Sequence, residues 1–405
     1  MAFKNYYSLI FSFLFVLFIS NDPVYAQIAE SWSLSGDVSV TAANTDTTVS
    51  IQPAFGFLMN LPTISDGARG SISAASVGAT ASSSYTHAAG VDASVDDIVV
   101  GTVTITASNV DSAVTTTGSI NGGLIEGGHD NAITGTASGA SAQLSVNDYV
   151  SSSATLTDSL TINGEIGLDS ENSGAVTLQT DFGADGSGPQ ISGGTRNSIS
   201  GIAVGSSAGI SVSTTVDDGT YESNIAIGTG SPITVTAINS GDVTIGYTDD
   251  PTQPAMLSGA TITSDSVNSS VSLMAVGASG FVTSSTVVYS GTASPSVSFG
   301  DVSFDVQNTG RVQANVSISD MSLDGSNSIS AGAVGSSVSF SANTTTYGDG
   351  AINYTGTIGS VSFASANSGA ILSTGGLFAT TIVRGYNVAS ALTAVGSTAS
   401  LPFTS

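Results

Sequence analysis

The segment NSISGIAVGSSA, from Asn197 to Ala208, decides the reading of this chain because it recurs along the whole sequence in altered form. Its other copies are SISAASVGATA from Ser71, NAITGTASGASA from Asn131, NSSVSLMAVGASG from Asn268, NSISAGAVGSSV from Asn327 and NVASALTAVGSTA from Asn387. They share the glycines Gly78, Gly139, Gly205, Gly277, Gly335 and Gly396, which stand 61, 66, 72, 58 and 61 residues apart. Self-similarity at a fixed period is the sequence signature of a repeat architecture, in which each unit is one supersecondary module.

Working outward, a second marker lies between these copies. Asparagines at Asn44, Asn109, Asn172, Asn239, Asn308 and Asn367 are spaced 65, 63, 67, 69 and 59 residues apart, and most are followed by Ser-Gly or Thr-Gly. Six and four residues before each asparagine stand apolar pairs: Val38/Val40, Val103/Ile105, Ile166/Leu168, Ile233/Val235, Val302/Phe304 and Val361/Phe363. Period-two alternation reads as strand and Asn-(Ser/Thr)-Gly as turn, while no segment carries a helical period.

A module of about 63 residues holds roughly four to six strands and cannot bury both faces alone, so neighbouring copies must stack. The expected fold is all-β, an elongated solenoid-like stack of about six modules. A closed propeller-like ring and an outer-membrane barrel are the alternatives. In NSISAGAVGSSV, Ile329, Ala331 and Ala333 share one face and Ser328, Ser330 and Gly332 the other. Such small side chains suit either a tight contact between chains or a narrow layer within one solenoid.

Units counted from one asparagine to the next leave a tail of a module before Asn44 and a head after Asn367. Together these fragments would make one module. That pattern suggests either ring closure or completion of one molecule by the next, and terminal strands that invite a further chain.

Composition sets the class. The chain has 405 residues, of which 9% are charged, with 48 Gly, 9 Pro and no Cys, and its mean hydropathy is +0.30. Disordered chains combine low hydrophobicity with dense charge, so this composition argues for a folded protein. Residues 1–26 have the form of a secretory signal: Lys4, an apolar run from Leu9 to Ile19, and the ending Val24-Tyr25-Ala26. The expected arrangement is therefore a signal peptide at 1–26 and a β-repeat region at 27–405. No transmembrane helix is expected in the mature chain.

Five basic residues against 30 acidic ones give a net charge of −25. Such a surface cannot neutralise a phosphate backbone, which excludes nucleic acid as a partner. An exported chain without cysteine draws its stability from burial and backbone hydrogen bonds.

Candidate chemistry is sparse. One G-x-S-x-G occurs at Gly205–Gly209 with Ser207 at its centre, but the equivalent stretches of the other copies break it and no helix follows. His87 and His129 lie about 40 residues apart in different units and read as surface-loop residues. No catalytic residue, and hence no enzyme, is expected. Acidic pairs at Asp96/Asp97, Asp217/Asp218 and Asp249/Asp250 are the candidate metal ligands, with calcium the cation such carboxylate loops would take. No other cofactor is expected, and the competing reading of these pairs is solvated turns that discourage edge-to-edge aggregation.

The segment SNIAIGTGS from Ser223, with NSISGIAVGSS nearby, resembles the head repeats of trimeric autotransporter adhesins, although that family repeats at a shorter period and ends in a membrane barrel. In composition the whole repeat region is similar to bacterial secreted β-strand-repeat surface proteins of the adhesin, surface-layer or extracellular fibre type. That resemblance implies an extracellular or cell-surface protein, structural or adhesive, whose partner is itself in a head-to-tail fibre or layer. The alternative is a monomeric extracellular module binding a glycan or another surface.

Overall fold

A computed structural model describes residues 28–51, 63–116, 124–179, 189–246, 260–262, 266–315, 318–321, 326–374, 377–378 and 389–404. The segment 1–26 therefore lies outside the described residues.

The second coil shows the plan of all of them. Its strands are Ala93–Val99, Val103–Val110, Val114–Thr116, Leu124–Glu126 and the 19-residue Ala132–Val150. Each strand pairs in parallel with its counterpart in the coil before and the coil after, so five parallel sheets run the length of the stack. The coils span 28–89, 93–150, 154–216, 219–288, 292–346 and 351–404. Parallel strands need a long return path, and here the rest of each coil supplies it. The protein is thus a solenoid-like stack of six modules, and no helix occurs among the described residues.

Two alternatives fall to this topology. A ring would pair the first coil with the last, but each of the five long sheets is open, with the first coil at one edge and the last at the other. A membrane barrel needs antiparallel neighbours, and the ladders here are parallel throughout. The complementary end fragments also vanish. Counted from Ile28, the first coil already holds its own five strands, and the division at Asn44 had cut through the second of them.

The apolar pairs before each asparagine stack directly. Val38, Val103, Ile166, Ile233, Val302 and Val361 are partners in one file of the second sheet. In the middle coils these positions are fully buried. Each buried Val or Ile contributes roughly 1.5–3 kcal/mol relative to exposure, and a side chain in this file gets its cover from the coils above and below.

The long strands explain the shared glycine. In Ala132–Val150 the interior positions are Ile133 and Ala137 before Gly139, but Ala140, Ala142 and Leu144 after it. The ladder skips Gly139, pairing Ser138 with Val77 and Val204, then Ala140 with Ala79 and Ser206. A one-residue irregularity moves every later side chain to the other face. The first half of each long strand therefore packs with Val114, Val176 and Ile191, and the second half with Val103, Ile105 and Leu160. Ile329, Ala331 and Ala333 are buried inside the chain's own solenoid, so their small size serves a narrow internal layer.

The two sequence markers meet at this bend. A Cβ on Gly139 would lie 2.2 Å from Asn172 Oδ1 and 2.5 Å from the Gly205 carbonyl oxygen; Gly205 and Gly277 stand the same way against Asn239 and Asn308. The glycine clears the space in which the asparagine sits. Each asparagine donates one N–H to the next along the stack, from Asn44 through Asn109, Asn172, Asn239 and Asn308 to Asn367, at 2.7–2.8 Å. From Asn172 onward the same amide nitrogen also donates to the carbonyl two residues ahead, as in Asn172 Nδ2 to Gly174 O at 2.8 Å. A buried amide with every group paired stabilises, whereas an orphaned one costs.

Candidate functional site

Where the long strand leaves the second half of its core, the sequence places charge inside. His87, near the end of Ser71–Ala89, stacks on Asp148 in the neighbouring long strand. Alternation puts Tyr85, His87 and Ala89 on the interior side of the strand. The reading of His87 as a surface-loop residue is therefore corrected: its side chain is 12% exposed. The first sheet supplies the rest, with Asp97 from Ala93–Val99, Asp158 from Ala154–Ile162 and Tyr221 from Gly219–Ile227.

His87 Nδ1 lies 3.2 Å from Asp148 Oδ1 and 3.3 Å from Asp158 Oδ1, and Nε2 lies 3.1 Å from Asp97 Oδ2. The buried Tyr221 hydroxyl donates to Asp148 Oδ2. One N–H cannot point at two acceptors. The Nδ1 proton serves Asp148, which leaves both Asp158 oxygens, and Asp97 Oδ1, buried without a hydrogen bond.

Burial alone would lower the pKa of His87. The close contacts of Nδ1 with Asp148 and Asp158 and the charge of both carboxylates outweigh it and hold the imidazole at about 10. Burial pushes Asp158 upward, opposed by His87 and reinforced by the charge of Asp148. Tyr221 is raised well beyond its ordinary value, first by burial and then by Asp148. Three aspartates therefore surround one histidine in the interior.

The acidic pairs are not brought together. Asp96 and Asp97 alternate, Asp96 exposed and Asp97 buried, so they do not converge on one ion. Asp217 is exposed, and Asp218 accepts from the Ser153 hydroxyl at 2.7 Å. Asp249 and Asp250 lie outside the described residues. His129 is half exposed, 3.0 Å from Asp130, which also holds Arg196 in a bidentate pair. Ser207 sits within Ser198–Val216 with its backbone N–H directed at Ser170 Oγ, in a strand and not on a strand-to-helix turn.

Sequence reasoning missed the convergence of His87, Asp148, Asp158 and Tyr221. The signal available was the phase of alternation: an aspartate or histidine on the apolar phase of a strand is buried by construction.

Turn aspartates have a structural task as well. Asp37, Asp92, Asp242 and Asp301 each accept a backbone N–H from the following coil, at 2.7–3.0 Å. Beyond these ties, the long strands carry no charged residue except His87 and Asp148, both turned inward. Their outer face is a broad sheet rich in Ser and Thr, on which Val77, Tyr149, Ile202 and Met274 are exposed. Compared with known protein families, with curated proteins and with solved structures, the chain matches none.

Proposed function

We propose that this protein is a secreted structural or adhesive cell-surface protein whose copies join end to end into a fibre or layer. The observation that carries this reading is the state of the two end coils. Interior positions fully buried in the middle of the stack are only partly buried in Val38–Thr45 at one end and Val361–Asn367 at the other. Both ends present open parallel edges of the same cross-section, and unpaired edges are templates for another chain.

The asparagine ladder gives the joint a direction. Every rung donates toward the last coil, so one end offers the N–H of Asn367 and the other the Oδ1 of Asn44. Five steps of about 4.8 Å make the stack rise only about 24 Å, against roughly 60 Å for a 19-residue strand. Joining ends is what makes such a block long. The pattern of residues 1–26 supports export.

Electron microscopy and light scattering of the mature protein over a concentration series test the reading. Linear or layered assemblies that shorten when Val40 and Phe363 are replaced by Lys are expected. Monomers alone at every concentration would refute it.

One observation favours a second reading, a monomeric extracellular module that binds a neutral surface such as a glycan. The charge-free outer face of the long sheet suits a flat uncharged ligand. Glycan binding by a chain that never assembles would establish that alternative.

A further inference from the structure

We propose that His87, Asp148 and Asp158 bind a divalent transition metal of the zinc class, which ties together the first three coils. The ligand atoms, one from each residue, all lie within 4.8 Å of one another. A tetrahedral ion with bonds of about 2.0–2.1 Å separates its ligands by about 3.3 Å. The distances from His87 Nδ1 to Asp148 Oδ1 and Asp158 Oδ1, 3.2 and 3.3 Å, meet that requirement.

The surroundings are those of a metal-bound imidazole. A ligating histidine ordinarily donates its other ring N–H to a carboxylate, which fixes the ring; Nε2 faces Asp97 Oδ2 at 3.1 Å. Tyr221 occupies Asp148 Oδ2 and so leaves Oδ1 for the ion. Asp158 is the independent indication. Its side chain is fully buried and faces His87 Nδ1 at 3.3 Å, but that nitrogen's proton goes to Asp148, so neither Asp158 oxygen receives a hydrogen bond. A buried carboxylate left in that state calls for a cation.

The donor set selects the metal. Calcium takes six to eight oxygens, whereas one imidazole nitrogen and two carboxylates with a fourth position for water are a zinc-type set. The ligands come from Ser71–Ala89, Ala132–Val150 and Ala154–Ile162, in three successive coils. In a chain without cysteine, this ion does the work of a cross-link.

Titration calorimetry of the chelator-treated protein with zinc chloride, and separately with calcium chloride, tests the site. One zinc per chain and a raised thermal midpoint are expected, with calcium binding at least tenfold weaker. Asp158→Asn and His87→Gln should each weaken zinc binding by tenfold or more, while Asp96→Asn, on the adjacent exposed position, leaves it unchanged. Cobalt(II) added to the unaltered chain supplies a measurement that needs no variant, and intense four-coordinate absorption bands are expected. Absence of stoichiometric zinc binding, calcium bound more tightly than zinc, weak six-coordinate cobalt bands, or zinc affinity unchanged in a folded Asp158→Asn chain would each overturn the proposal.

Discussion

Replacing Asn172 by alanine removes the middle of the asparagine ladder, and its cost follows from what is left behind. Asn109 Nδ2 loses its acceptor at 2.7 Å, Asn239 Oδ1 its donor at 2.7 Å and the Gly174 carbonyl its donor at 2.8 Å. Asn109, Asn172 and Asn239 are fully buried, so water cannot replace these bonds. Each orphaned group costs about 1–3 kcal/mol. Allowing for partial relaxation, a loss of about 4 kcal/mol is expected, roughly a thousandfold in the folding equilibrium. Asn44→Ala is the internal control. It sits only partly buried at the end of the ladder and passes one bond onward, so its loss should be about 1 kcal/mol. Urea denaturation followed by circular dichroism measures both, provided the denaturant slope stays constant. A loss below about 1 kcal/mol for Asn172→Ala, or equal losses at the two positions, would refute the account of the ladder as a buried, mutually satisfied chain.

Further outcomes follow from the same geometry. Gly205→Ala places a methyl group 2.2 Å from Asn239 Oδ1 and 2.5 Å from the Gly277 carbonyl; it should destabilise by about 3 kcal/mol or more, and Asn239→Ala in the same chain should not restore stability because the backbone clash remains. Tyr221→Phe removes the buried hydroxyl that donates to Asp148, and its thermal midpoint should fall by the equivalent of about 1.5–3 kcal/mol, the range for a bond to a charged group. In metal-free protein, His87 is raised from 6.5 to about 10 on folding, so its contribution is complete below pH 6.5 and disappears as pH rises through about 10; His87→Gln should flatten that alkaline decline in a pH series of urea midpoints. On the acid side, the backbone and hydroxyl of Ser360 hold Asp301 below its ordinary 3.8; that contribution is present above this value and is lost as pH falls below it, which Asp301→Asn should remove from the acid limb of the same series.

The repeat was legible because a solenoid writes its geometry into the chain. When identical positions stack in register, each coil must place the same residue type at the same point of the cross-section, and the Asn44 and Gly78 series do so. Strand lengths were less legible. A strand of 19 residues looks like two alternating segments of opposite phase, since Gly139 reverses the alternation without ending the ladder. The completeness of the end coils was hidden for a similar reason, because a period has no natural starting point until strands are paired.

The buried cluster shows the opposite limit. His87 and Asp148 are 61 residues apart and Asp148 and Tyr221 73 apart; the phase of alternation marks His87 and Asp148 as inward-facing, but nothing local says that they meet. By itself the sequence determined that this is an acidic, cysteine-free, six-unit β stack, because composition and period are properties of the chain that survive unfolding. Only tertiary structure decided that the asparagine sits in the hollow over the glycine, that both edge coils expose interior positions, and that one histidine and three aspartates converge in the interior. Those facts depend on which residues from different coils face inward at one height, a relation that exists only once the coils are laid on one another.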